Sequence, residues 1–519
     1  MVTAPHRAAS EAGAEVLAEG GNALEAIIAT AATIAVAYPH MNGIGGDVFM
    51  TVSEPGRPPR AIEACGRAGT HATRERYAKA GHDTIPERGV DAALTVAGAL
   101  SGWQKALEIA GALGGRMPRG DLLGAAIRHA KEGIAVSRSQ AAMTAENLGA
   151  LKDVPGFASV FLADGKAPEA GSRFVQARLA DTLDHLARAG FDDFYRGDVA
   201  AEIAADLEAA GAPVTREDLR RHEARLAKPL SVALDDATVF NTPPPTQGLA
   251  SLMILGLFDR LKVTRGESFA HHHGLVESVK RAFLVRDTAI ADPDFTGEVE
   301  PFLDPAFLDA EAARIDMKRA APWPPGRDRG DTIWAGAIDA SGRAVSFIQS
   351  LYWEFGSGLV LPRTGILWQN RGSSFSLDPA HHNRLVPGRR PFHTLNPPLA
   401  RFRDGRVVVY GSMGGDGQPQ FQAEIFTRAI RFGMEPGEAT AAPRWRLGRT
   451  WGDGPVGLAM EDRFDPDLVA ALRRAGHEVV VIPEAYSDGM GHAGMIVRRA
   501  DGRLLGASDP RSDGAAVAA

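Results

Sequence analysis

Apolar residues run from Ala26 to Tyr38 without a charge, interrupted by two threonines and stopped at Pro39. Uninterrupted apolarity over that span predicts a helix buried on all sides, opened by Gly20-Gly21-Asn22 and closed by the proline. The run is too short and too polar to cross a bilayer. Asn42-Gly43-Ile44-Gly45-Gly46-Asp47 follows as a glycine-rich turn into a strand from Val48 to Val52. Its spacing is not that of a P-loop or of GxGxxG, and helix-to-strand is the wrong order for presenting a helix N-terminus to phosphate, so a tight connection is the reading. Helical segments are expected at Leu100 to Ala112, Leu122 to Lys131 and Val175 to Ala189, separated by Gly/Pro turns. Pro243-Pro244-Pro245-Thr246-Gln247-Gly248 then breaks the chain before an apolar helix from Leu249 to Leu261, and a second helix runs from about Phe269 to Arg286.

The pattern changes near Thr332. Apolar and small residues from Thr332 to Ile338, a turn at Ala340-Ser341-Gly342 and a second run from Ala344 to Ile348 predict a β-hairpin with the threonine at its edge. Strands are expected again at Val407 to Tyr410, Val479 to Ile482 and Met495 to Val497, with helices at Ala423 to Phe432 and Pro466 to Ala475. The segment Ala320 to Gly330, AAPWPPGRDRG, is rich in proline, glycine and arginine and reads as exposed. It is the best boundary in a chain that shows no internal repeat, so one large domain divided at Asp331/Thr332 is expected.

With 519 residues, 45% hydrophobic and 23% charged, the chain has ample material for a large core. A formal net charge of -7 and scattered basic residues offer no continuous basic face for nucleic acid. The single cysteine, Cys65, cannot form an intramolecular disulfide, and the first residues (His6, Arg7, Ser10, Glu11) lack the apolar core of a secretory signal, which predicts a cytoplasmic protein.

His271-His272-His273 is conspicuous, but adjacent residues on a helix point in different directions, and no HExxH or CxxC accompanies them. The triplet is therefore assigned to the start of a helix, and no metal or cofactor is expected. No GxSxG elbow occurs, and Cys65 has no histidine signature nearby. Gly411-Ser412-Met413-Gly414-Gly415-Asp416-Gly417-Gln418 follows a strand and precedes a helix, the order that presents successive backbone N–H groups to a developing oxyanion. Neither that turn nor a threonine opening a strand is diagnostic alone. Together they make a nucleophile with an oxyanion hole.

These residues resemble the γ-glutamyltranspeptidase family of N-terminal nucleophile hydrolases. The resemblance runs from GGNALEAIIATAATIAVAYPHMNGIGGDVFM through Pro243 to Gly248, Ala291 to Phe295, Phe355 to Gly358, Gly365 to Leu367 and Gly411 to Gly415, and on to GASDPRSDG, in the family's order. It implies an α+β fold, an αββα sandwich, and a precursor that cuts itself between Asp331 and Thr332. The products would be a large fragment, 1–331, and a small fragment, 332–519, together one structural domain held as a heterodimer, with a dimer of heterodimers left open. Thr332 would supply both the nucleophilic hydroxyl and, once freed, the basic α-amine, whose reference pKa of about 7.7–8.0 leaves a useful neutral fraction.

Several positions depart from the family's substrate residues. The arginine that grips a glutamyl carboxylate falls at Cys65, with Arg67 two residues on; the acidic residue that holds the glutamyl amine falls at Ser374; the serine pair falls at His393 and Thr394. Tyr352 replaces an asparagine, Arg371 a neutral residue, and Ser350 a hydroxyl that assists the nucleophile. A lost carboxylate and a gained arginine turn recognition of a zwitterion into recognition of an anion. The pattern resembles the oxamate amidohydrolase branch of the family, whose substrate is a two-carbon amide from purine-derived ureide breakdown. The implied roles are Thr332 and Ser350 at the nucleophile, Gly414 and Gly415 as oxyanion donors, and Arg371 as carboxylate anchor, aided by Tyr352, His393, Thr394, Ser374 or Arg67. The alternatives are a γ-glutamyl hydrolase or transferase, a glutaryl-type acylase and, in another class, an unprocessed non-enzymatic binding protein.

Overall fold

The computed structural model describes residues 1–323, 331–448 and 457–519, Asp331 by its backbone alone. Two antiparallel sheets lie face to face. The first has seven strands in the order Ala515–Val517, Val2–Ala4, Asp331–Ile338, Ala344–Tyr352, Asp47–Ser53, Arg60–Ala64 and Arg225–Ala227. The second has six: Leu504–Ser508, Ala493–Arg498, Val407–Ser412, Leu399–Phe402, Ala237–Asn241 and Leu230–Ala233. Trp334, Ile338 and Ala344 of the first sheet meet Leu399, Val409 and Ile496 of the second in an apolar layer between them. Helices cover both outer faces, giving the expected αββα sandwich.

The uncharged run forms the helix Ala23–Ala37, every residue of which is buried, and Asn22 and Glu25 close a capping box at its start. It packs on the outer face of the first sheet beside Arg7–Ala18 and Ala99–Ala112. Gly248–Arg260, Phe269–Ala289 and Gln418–Phe426 cover the second sheet. The glycines of the Asn42–Asp47 turn have a steric cause: a Cβ at Gly46 would collide with the Ser350 carbonyl, and one at Gly45 with that of Leu367. The turn thus presses the start of Asp47–Ser53 against the far end of the Thr332 hairpin.

Some elements differ from expectation. The hairpin's second strand reaches Tyr352, past the expected Ile348, by way of an irregularity in register between Gln349 and Tyr352. The three-residue strands Val2–Ala4 and Ala515–Val517, too short to show a period, flank the hairpin. Val479–Ile482 belongs to neither large sheet; it pairs parallel with Leu458–Glu461 in a separate three-stranded sheet. The helix expected at Ala423 begins at Gln418 and widens into a π turn at Thr427–Arg431. Of the segment Ala320 to Gly330, Ala321 and Pro322 are exposed, and 324–330 lie outside the described residues. No helix among the described residues is long and apolar enough to cross a membrane.

Candidate active site

Thr332 is the second residue of its strand and fully buried. Its Oγ1 donates to Ser350 Oγ at 3.1 Å and accepts from Gln418 Nε2 at 3.3 Å. Ser350 reaches it because the hairpin register breaks there, and the Tyr352 amide donates back to Ser350 Oγ at 2.7 Å. Tyr352 pays for that turn with φ of +86°, a left-handed conformation that a bulky residue adopts at a cost of about 1–3 kcal/mol and that concentrates at functional sites. Trp334, two residues beyond Thr332, fixes the strand against the opposite sheet. Its indole lies over Gly411 and Gly494, where any Cβ would collide with it, and its Nε1 donates to Ser346 Oγ at 2.9 Å.

Gly411 begins the glycine-rich turn. Gly414 and Gly415 both take positive φ, 118° and 52°, and the chain then enters Gln418–Phe426 with Pro419 in its first turn. Neither glycine amide donates to an acceptor among the described residues. The turn is held from behind by Gln247, whose Nε2 donates to Gly415 O at 2.9 Å and Thr394 O at 2.7 Å. Gln418 Oε1 accepts from Asn396 at 3.1 Å. Two N–H groups thus stand at a helix start whose first side chain touches the threonine hydroxyl, an arrangement able to stabilise an oxyanion formed at Thr332.

Arg371 is 1% exposed, stacks its guanidinium 3.8 Å from the Tyr352 ring centroid and donates from Nη1 to Thr394 Oγ1 at 3.3 Å. Its Nη2 is buried with no hydrogen-bond partner among the described residues. Burial pushes its pKa down to about 10, opposed by Tyr352, Asp47, Cys65 and Asp416, so it remains a cation at neutral pH. His393, wholly buried with its ring edge-on to Phe49, has Nε2 3.3 Å from Asp47 Oδ2. Thr332, Ser350, Tyr352, Arg371 and Thr394 therefore form one connected group, which His393 borders.

Two expected members sit differently. Ser374 Oγ donates to the Phe392 carbonyl at 3.1 Å and lines a cavity of about 270 Å³ with Arg286, His382 and Asp416. Arg67 does not join the group: it donates to Gly388 O at 2.7 Å, pairs with Asp294 at 2.9 Å and, with Cys65, lines a separate cavity of about 880 Å³. The acidic Asp294 captures it, a partner that its position beside Cys65 did not reveal. Gln418, Asn396, Gln247 and Asp47 were not foreseen. Gln418 closes the quoted glycine motif and Asp47 the other glycine-rich turn, so both stood in view. In the histidine triplet, His271 Nδ1 accepts from the Glu267 amide and His272 Nδ1 from Trp445 Nε1, while His273 bonds His477 and the Asp316 carbonyl. His271 and His272 also converge with Glu267, and His273 with Glu277 and His477, each group with its ligand atoms within 4.8 Å of one another.

Residues 9–519 match the model of the family described as gamma-glutamyltranspeptidase. The chain belongs to the γ-glutamyltranspeptidase family. Within that family it is 52% identical over 519 residues to the oxamate amidohydrolase proenzyme of Klebsiella pneumoniae, covering 100% of this chain and 98% of that one. It is 41% identical over 521 residues to the glutathione hydrolase-like YwrD proenzyme of Bacillus subtilis, again covering 100% and 98%. Among solved structures, the cephalosporin acylase from Bacillus halodurans superposes with a TM-score of 0.90 at 33% identity, covering 99% of this chain and 94% of that one. The sandwich is thus the N-terminal nucleophile hydrolase fold of this family.

Proposed function

We propose that the precursor cuts itself between Asp331 and Thr332 and that the resulting pair of fragments, 1–331 and 332–519, hydrolyses oxamate to oxalate and ammonia in the cytoplasm. Both sheets are built from strands of both fragments, so cleavage would leave one interleaved domain. The observation that carries the substrate reading is Arg371: a buried cation with an unused Nη2, linked to the threonine hydroxyl by three contacts through Tyr352 and Ser350. A guanidinium in that setting favours a substrate whose carboxylate lies next to its scissile amide. Ser374, where a zwitterion's ammonium would need a carboxylate, offers a hydroxyl already bonded to Phe392 O. The full-length likeness to an oxamate amidohydrolase proenzyme supports the same substrate and the same processing.

In this mechanism the freed Thr332 amine takes the proton from Oγ1 as the oxygen attacks the amide carbon. The Gly414 and Gly415 amides hold the oxyanion, and Ser350 and Gln418 orient the nucleophile. The amine returns the proton to the departing nitrogen, releasing ammonia and leaving an oxalyl ester on Thr332. Water, deprotonated by the same amine, attacks the ester and releases oxalate. Ammonia release from oxamate by the purified protein, compared with Thr332→Ala, tests the proposal; no release from the processed protein would refute it. The likeness to a glutathione hydrolase-like protein favours a γ-glutamyl hydrolase as the second reading, and turnover of a γ-glutamyl anilide without oxamate turnover would establish it.

A further inference from the structure

Asp47 has no part in the reaction above, yet it adjoins His393, the residue before Arg371's partner Thr394. It is fully buried and pairs across the sheet with Ser350. Oδ1 is committed to structure, accepting from the Gly66 and Gly98 amides at 3.0 Å each and from Gln369 Nε2 at 3.2 Å. Oδ2 is not. It lies 3.3 Å from His393 Nε2 without hydrogen-bond alignment, and neither atom has a hydrogen-bond partner among the described residues. Arg371 Nη2 shares that condition. Unpaired buried polar atoms carry a cost of about 1–3 kcal/mol each, so three of them, one on the cation itself, mark a place built for polar occupancy.

The charged and titratable groups facing the pair are Arg371, Arg390, Cys65 and Tyr195, joined after cleavage by the Thr332 amine. Arg390 is neutralised by Asp292 and Glu63. Burial outweighs the hydrogen bonds and Arg371, raising Asp47 to about 7, and burial with Arg371 and Arg390 drives His393 well below the usual imidazole range. His393 is therefore neutral, and Asp47, titrating near neutrality, is part-ionised in the free protein rather than locked in an ion pair with it.

We propose that Asp47 and His393 act as a pair that takes up a proton when a small carboxylate binds at Arg371. The proposal rests on the reading that Arg371 anchors the substrate carboxylate. An ionised Asp47 would repel the incoming anion in a low-dielectric site; protonation removes that repulsion while Arg371 keeps its charge. Affinity for the anion accordingly falls as pH rises through the titration of the pair, by about tenfold per unit for one linked proton.

The test uses the processed protein, oxalate as probe, and calorimetry in two buffers of different ionisation enthalpy between pH 6.5 and 8.5. Asp47→Asn keeps an oxygen acceptor for Gly66 and Gly98 but cannot ionise. Its proton uptake should drop below that of the unsubstituted protein, and its oxalate affinity and oxamate KM should lose most of their pH slope, with kcat moving less than KM. His393→Gln, a second route to the same result if Asp47→Asn fails to fold, should also lower the proton uptake. Equal proton counts and equal slopes in variant and parent overturn the pairing, as does failure of oxalate to bind. Proton-linked oxalate binding that Asp47→Asn abolishes, in a protein that does not hydrolyse oxamate, would instead refute the proposed reaction and leave the pair standing. Oxamate turnover with unaltered proton uptake would do the reverse.

Discussion

Replacing Arg371 by alanine removes a guanidinium that is 1% exposed, stacked on Tyr352 and bonded to Thr394. With a carboxylate bound, the loss is that of one partner in a desolvated charge pair, which costs about 2–5 kcal/mol. At about 1.4 kcal/mol per factor of ten, kcat/KM for oxamate should fall between about thirtyfold and several thousandfold, carried by KM. Arg371→Lys keeps the charge but loses the planar fork and the stack on Tyr352, so it should fall between parent and alanine, about tenfold to a hundredfold down, the worth of a charge-assisted hydrogen bond of about 1.5–3 kcal/mol. The assay is steady-state ammonia release, with a denaturing gel to verify fragment formation and circular dichroism to verify folding. A folded, processed Arg371→Ala protein whose oxamate KM stays within twofold of the parent would refute the anchoring role.

Gly414→Ala places a side chain where φ is 118° and a Cβ would come within 2.7 Å of the Phe421 ring; displacing the turn should lower kcat by about a hundredfold to a thousandfold, read by single-turnover kinetics. Gln418→Ala removes one neutral hydrogen bond to Thr332 Oγ1, worth about 0.5–1.5 kcal/mol, and should lower kcat about two- to tenfold with little change in KM. For stability, Asp47 is raised from the ordinary carboxylate range to about 7, so the folded state binds more protons than the unfolded state between these values. Its contribution therefore falls as pH rises through that window, and the melting temperature of Asp47→Asn relative to the parent should climb from pH 5 to pH 8. A constant difference in scanning calorimetry would contradict that sign.

Runs of apolar residues made the layers legible: an uncharged run became a fully buried helix, and the apolar and small residues from Thr332 to Ile338 became the first strand of the central hairpin. The outer strands Val2–Ala4 and Ala515–Val517 escaped because three residues carry no period, and their pairing joins opposite ends of the chain. At the site, Thr332 stood out through its place in an ordered set of motifs, since a threonine at a strand start is physically ordinary. Its contact with Ser350 depends on a register shift late in the hairpin, and Tyr352 shares its cation with Thr394 through loops distant in sequence. Asp47 and His393 meet because sheet and loop bring remote turns together, which no local pattern encodes. Arg67 is a different case: it stands two residues from Cys65 in sequence, and its long side chain pairs with Asp294.

The central claim is that Thr332, freed by self-cleavage, is the nucleophile of an amidohydrolase for a small anionic amide. Incubating the purified full chain with oxamate, and quantifying ammonia and oxalate beside Thr332→Ala and beside a γ-glutamyl anilide as competing substrate, tests it most directly. The account predicts equimolar ammonia and oxalate from the processed protein and none from Thr332→Ala, which should remain a single intact band. Turnover of the anilide without oxamate turnover, or oxamate turnover undiminished in Thr332→Ala, would contradict it.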